Sequence, residues 1–140
     1  MSETEVAQAL EELQAIERVV ADLQARILSV QRSIAEHEEA VRLIEEMRKA
    51  GGKMKLLVPL GAGAFAEANL ESVEKVTVSL GAGVYAVKAL EDTQQLLTKR
   101  SQALQAYGET LSKYATEYVA RAEELRRFLG RVLASQQRKG

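Results

Sequence analysis

The chain contains no cysteine, which excludes disulfides, thiolate metal sites and cysteine nucleophiles; a reducing compartment is permitted by this and not required. Histidine occurs once, at His37, and a single imidazole without a second soft ligand makes no zinc site. Charge of one sign is also missing: 19 basic and 20 acidic residues are interspersed to a net −1, so the chain as a whole offers no attraction to nucleic acid. No apolar run approaches the length of a membrane span, and the opening residues lack the apolar stretch of a secretory signal. These absences predict a soluble, cytoplasmic chain with no nucleic-acid or membrane partner. Its 140 residues are expected to form one structural unit, residues 1–140, without room for a second domain.

Residues 2–49 hold no proline or glycine and are rich in Ala, Glu, Gln, Leu and Arg, which predicts a long helix over about 2–50. Ile16, Val20, Leu23, Ile27, Val30, Ile34, His37, Val41 and Ile44 follow steps of four and three, the seam of a coiled coil. Leu10 and Leu13 extend it after one short step, and Gly51-Gly52 ends the helix. A second helix, about 88–137, keeps a seven-residue spacing through Leu90, Leu97, Leu104, Leu111, Tyr118, Leu125 and Val132, with mixed companion positions. Each helix would span about 65 to 75 Å at 1.5 Å per residue, so an elongated molecule is expected. An antiparallel pairing sets Val6 near Val132 and matches charge: residues 1–20 carry net −4 and residues 121–140 net +4. The same distribution also follows from ordinary complementarity to each helix dipole.

Between the helices, about 54–87, Leu-Gly-Ala-Gly occurs twice, at 60–63 and 80–83. Each copy follows an alternating run, Leu56, Val58 and Leu60 in one case and Val76, Val78 and Leu80 in the other, and precedes an aromatic, Phe65 or Tyr85. Two related β-hairpins are implied, with half-buried strands and with Gly61, Gly63, Gly81 and Gly83 supplying the positive φ of the turns. Pro59 cannot donate to a ladder and marks an edge or a hairpin margin. Gly61, Gly63 and Ala66, like Gly81, Gly83 and Ala86, also fit the spacing of a dinucleotide fingerprint, but no βαβ unit surrounds either copy. Isolated hairpins are marginal in water and their open edges solicit other strands, so pairing with other subunits is expected.

The order helix, Lys55 to Phe65, Lys75 to Tyr85, helix resembles the α-type subunits of the prefoldin family along nearly the whole chain. The resemblance implies a mainly α fold with a small β part: a long antiparallel coiled-coil α-hairpin whose two central β-hairpins assemble into an oligomeric β-barrel. It implies two α-type with four β-type subunits, with unfolded client proteins held at the coiled-coil tips and passed to a group II chaperonin without ATP. No cofactor or metal and no enzymatic activity are implied.

The tip can be read from its own residues. Leu125, Phe128, Leu129, Val132 and Leu133 form an apolar face wider than a two-helix seam can bury, opposite Val6, Leu10 and Leu13. This surplus is the candidate client-binding surface; the bland alternative is a frayed coil end, and Gly130 would loosen its last turns. A structural scaffold that assembles through its hairpins but receives no client is the competing function. Arg138 and Lys139 are candidates for chaperonin docking. Glu38-Glu39 and Glu45-Glu46 diverge on a helix and converge on no shared proton or metal. Tyr107, Tyr114 and Tyr118 are expected to pack in or beside the seam.

Overall fold

A serine hydroxyl caps the first helix. The computed structural model describes residues 2–139, and there Ser2 Oγ accepts the Glu5 amide at 3.2 Å, satisfying one of the donors that a helix start leaves unpaired. Helix α1 then runs Glu3–Lys49. It ends in a paired-glycine motif: the Gly52 amide reaches back to the Met47 carbonyl at 2.8 Å and the Gly51 amide to Arg48 at 3.2 Å, with both glycines at positive φ. Four strands follow, β1 (Met54–Gly61), β2 (Ala64–Leu70), β3 (Lys75–Gly81) and β4 (Val84–Ala89), and α2 (Leu90–Lys139) completes the chain. The return strands are longer than their apolar residues suggest, and β4 runs directly into α2.

The strands form two separate antiparallel hairpins, β1–β2 and β3–β4, built alike. Gly61 pairs with Ala64 and Gly81 with Val84, leaving Ala62-Gly63 and Ala82-Gly83 as two-residue turns; one step back, Pro59 faces Phe65 and Ser79 faces Tyr85, so Leu60 and Leu80 are bulged out of register. The turns correct one expectation. The alanines, not only the glycines, take left-handed φ, 52° at Ala62 and 53° at Ala82. Positive φ at both central positions is the type I′ form of the two-residue turn, and the alanine accepts a steric cost of about 1 to 2 kcal/mol to adopt it.

The chain gathers into two compact units, one made from the chain up to Arg32 and from Gln105 onward, the other from Ser33–Leu104. In the first unit the helices are antiparallel: Glu12 reaches Arg121, and Gly108 approaches Val30 so closely that an added Cβ would lie 3.3 Å from Val30 Cγ1. Ala9, Ile16, Ala122 and Leu125 form its buried core, flanked by Leu13, Val20, Phe128 and Leu129. In the second unit Ile44, Met47, Val78, Leu90 and Leu97 form the core, and Met54, Leu70, Val73 and Val76 bring the bases of the hairpins onto it.

The seam of α1 holds from Ile16 to Ile44, with every member buried or half-buried. At its start the seam passes through Ala9, not Leu10, because a step of seven from Ile16 lands on the alanine and turns Leu10 to solvent. The mixed companions of α2 also sort out. Ser101, Gly108, Ala115, Ala122 and Leu129 lie inward, the first four all small, so large and small residues alternate along that seam. Tyr107, Tyr114 and Tyr118 are not core residues: all three are exposed, Tyr118 although it shares the seven-residue register of the buried Leu111 and Leu125. His37 keeps its seam position, and its Nδ1–H donates to the Ser33 carbonyl at 2.7 Å, one helical turn back.

Candidate functional site

Two groups of exposed apolar side chains, one in each unit, stand out from single ones scattered along the helices, such as Val19, Leu28 and Val119. In the first unit the group lies where the start of α1 meets the end of α2. Leu125 and Val132 are buried in the seam and Val6, Leu13, Phe128 and Leu129 are half-buried, whereas Leu10 is 46% and Leu133 59% exposed. The eight residues read from the sequence thus divide into a seam pair, a rim and two outward leucines. A groove beside them is lined by Ala9, Leu125 and Phe128 on its floor and by Glu12, Arg121 and Arg131 among its charged walls.

The charges at this end pair across the helices. Arg121 grips Glu12 with two bonds, Nε to Oε1 at 2.8 Å and Nη2 to Oε2 at 3.1 Å, and also reaches Glu124 at 3.1 Å; Arg126 meets Glu17 at 3.3 Å. Hydrogen bonding to Arg121 holds the Glu12 carboxyl below its ordinary range, and hydrogen bonding to Glu12 and then Glu124 raises the Arg121 guanidinium. The opposite charges of the two chain ends therefore serve as helix-to-helix contacts and not only as dipole complements. On the flank, hydrogen bonding to the Tyr107 side chain, supplemented by Asp22, raises Arg26. Arg138 is exposed; the side chain of Lys139 lies outside the described residues.

In the second unit the exposed apolar residues are on the hairpins, apart from Leu43 on α1. Leu56 and Val76 are half-buried and Val78 is buried, as expected of strands seated on helix ends. The alternation fails toward the turns: Val58 is 42% and Leu60 68% exposed, and Leu80, Phe65 and Tyr85 are exposed with them. The core of this unit takes in Met54, Leu70, Val76 and Val78 but none of these residues. Leu57, Val84 and Val87 are exposed apolar residues that the sequence reading did not single out. For Leu57 the uninterrupted run Leu56-Leu57-Val58 is a signal, since a strand apolar on both faces must be covered on both. Gly61 and Gly81 end their strands and Gly63 and Gly83 lie in the turns that follow, and no helix opens at either repeat to receive a pyrophosphate.

Prefoldin subunits match residues 16–134 of this chain. The chain belongs to the prefoldin family. It is similar to prefoldin subunit alpha of the archaeon Methanococcoides burtonii, 28% identical over 101 residues that cover 72% of this chain and 73% of the relative. A cryo-EM structure of filamentous PFD from Methanocaldococcus jannaschii shares the fold, with a TM-score of 0.68 and 24% identity over 82% of this chain and 95% of that one. The two hairpins accord with an α-type prefoldin subunit. Its role is that of the family, a chaperone that holds other proteins and carries no catalytic centre. Among the described residues no group of three or more histidines and carboxylates could hold a metal ion, and no helix is long and apolar enough to cross a membrane.

Proposed function

We propose that this prefoldin subunit, acting as one unit over residues 1–140, captures unfolded polypeptides in the cytoplasm at the end where α1 begins and α2 finishes, and delivers them to a group II chaperonin without nucleotide. The observation that carries the reading is the pair Leu10 and Leu133, outward leucines beside the half-buried Val6, Leu13, Phe128 and Leu129, at a helix end whose seam Leu125 and Val132 already fill. The parts of these side chains that the seam leaves exposed are available to a client. Each large apolar group fully buried contributes about 1.5 to 3 kcal/mol, so one tip holds weakly and several tips acting together hold firmly.

The exposed hairpin residues support the second part of the proposal, assembly. Leu57, Leu60, Phe65, Leu80, Tyr85 and Val87 are uncovered on two-stranded sheets with open edges, an arrangement that other strands would stabilise. Two α-type chains with four β-type chains, their hairpins closed into a barrel, would cover these residues. Arg138 is the described candidate for chaperonin docking.

The alternative is a scaffold that assembles and receives no client, and the ion pairs that close the helix end, Glu12 with Arg121 and Glu17 with Arg126, favour it. Suppression of aggregation of a chemically unfolded protein, measured without nucleotide on the assembled complex, separates the two. Deleting residues 1–13 and 128–140 abolishes suppression and spares assembly if the tip captures clients. Absence of suppression by the intact complex would establish the scaffold.

A further inference from the structure

The chain between the two hairpins touches both helices through backbone atoms. The Val73 amide donates to the Gly52 carbonyl at 3.0 Å, just beyond the end of α1, and the Leu90 amide at the start of α2 donates to the Glu74 carbonyl at 3.2 Å. Two consecutive residues of the link are thus fastened to the two helix ends, and the half-buried Val73 side chain packs on the core of Ile44, Met47, Val78, Leu90 and Leu97. Gly52 makes the approach possible. It is buried at φ +83°, and a Cβ there would lie 2.6 Å from both the nitrogen and the oxygen of Val73 and 3.1 Å from the Ser72 carbonyl carbon. Gly51, one residue earlier at φ +67°, has nothing within 4 Å of its Cβ position. The two glycines both end the helix, but only the second is held against the link.

We propose that Gly52, Val73 and Glu74 form a clasp that sets the orientation of both hairpins on the helix ends, and that Gly52 is a positioning residue for assembly. The reason is mechanical. A β-hairpin joined to a helix only by its own chain can swing, and strands from different subunits pair only when their edges arrive in register. Backbone clashes cannot be relieved by turning a side chain, so a methyl group at position 52 must displace the link.

This inference rests on the proposed assembly through the hairpins, and a matched pair of variants tests it. Gly51→Ala and Gly52→Ala both force alanine into left-handed φ at the end of α1, but only the second adds the clash with Val73. Each full chain is mixed with purified β-type prefoldin subunits, complex formation is titrated by sedimentation, and hydrogen exchange is read at Val73, Leu90 and the α1 and α2 amides. The expected result is that Gly52→Ala weakens assembly by about tenfold or more while Gly51→Ala stays within about threefold of the parent. Val73 and Leu90 lose protection in the first variant, with the amides of residues 9–32 and 105–125 protected in both. Equal assembly by the Gly52→Ala chain, or equal loss in the two variants, overturns the clasp. Failure of the parent chain to assemble at all refutes the hairpin reading itself.

Discussion

Replacing Leu10 and Leu133 together by serine tests whether the outward leucines act on clients or simply decorate a coil end. Both are already about half in solvent or more, at 46% and 59%, so the folded chain loses little by the change. A client that covers them gains the transfer of the portion still exposed, roughly half of the 1.5 to 3 kcal/mol of a fully buried leucine, or about 1 kcal/mol for each residue. The pair therefore contributes about 2 kcal/mol per tip, near a thirtyfold change in the affinity of one tip, and more when several tips hold one chain. The control is Leu125→Ala. Leu125 is buried in the seam, and its truncation removes about 2 to 5 kcal/mol of stability through lost transfer and an unfilled cavity. Thermal unfolding followed by circular dichroism, together with nucleotide-free suppression of aggregation by the assembled complex, reads both effects. The serine variant is expected to melt within a few degrees of the parent and to lose most suppression, while Leu125→Ala melts well below it. Full suppression by the assembled serine variant would refute the assignment of client contact to these leucines.

Gly130→Ala is expected to stabilise the end of α2 by about 1 kcal/mol, since a Cβ there meets nothing within 4 Å and only helix propensity changes; hydrogen exchange of the last turns measures it. Gly108→Ala should show a smaller gain or a loss by the same measurement, because its Cβ would press on Val30 Cγ1 at 3.3 Å. Glu12→Gln should destabilise the chain at neutral pH, and the difference from the parent should vanish in acid. Glu12 is held below its ordinary value of 4.5 by Arg121, so its contribution is present above that value and is lost as pH falls through the lowered one; melting temperatures over pH 7 to 2 show the convergence, and carboxyl NMR shows the titration. Ala62→Asn should protect the amides of the first hairpin, because asparagine enters the left-handed region at less cost and without the chain freedom that glycine would add.

Periodicity alone determined the two helices and the face each must bury, because a seam repeated every seven residues over forty or more calls for a partner helix; that the partner is the other helix of the same chain was decided by the tertiary structure. The doubled Leu-Gly-Ala-Gly and its alternating flanks likewise determined two hairpins of one design. Their α-helical and β-strand periods are local properties of the backbone, legible residue by residue. Which residues lie uncovered was decided by packing. Leu10 and Ala9 are adjacent and both apolar, and only the seam of α1 against α2 showed that the alanine goes in and the leucine out. Tyr107 and Tyr114 neighbour heptad positions of α2, yet Gly108, Ala115 and Ala122 are the residues that lie inward, and Tyr118 is exposed in the register of the buried Leu111 and Leu125. The alternating strands looked half-buried along their length, yet helix ends cover only their bases and leave Val58, Leu60 and Leu80 bare. The contact of Gly52 with Val73 joins residues twenty-one apart through backbone atoms alone, and no side-chain pattern encodes it. A period states which face a residue occupies; whether anything covers that face depends on where another part of the chain ends.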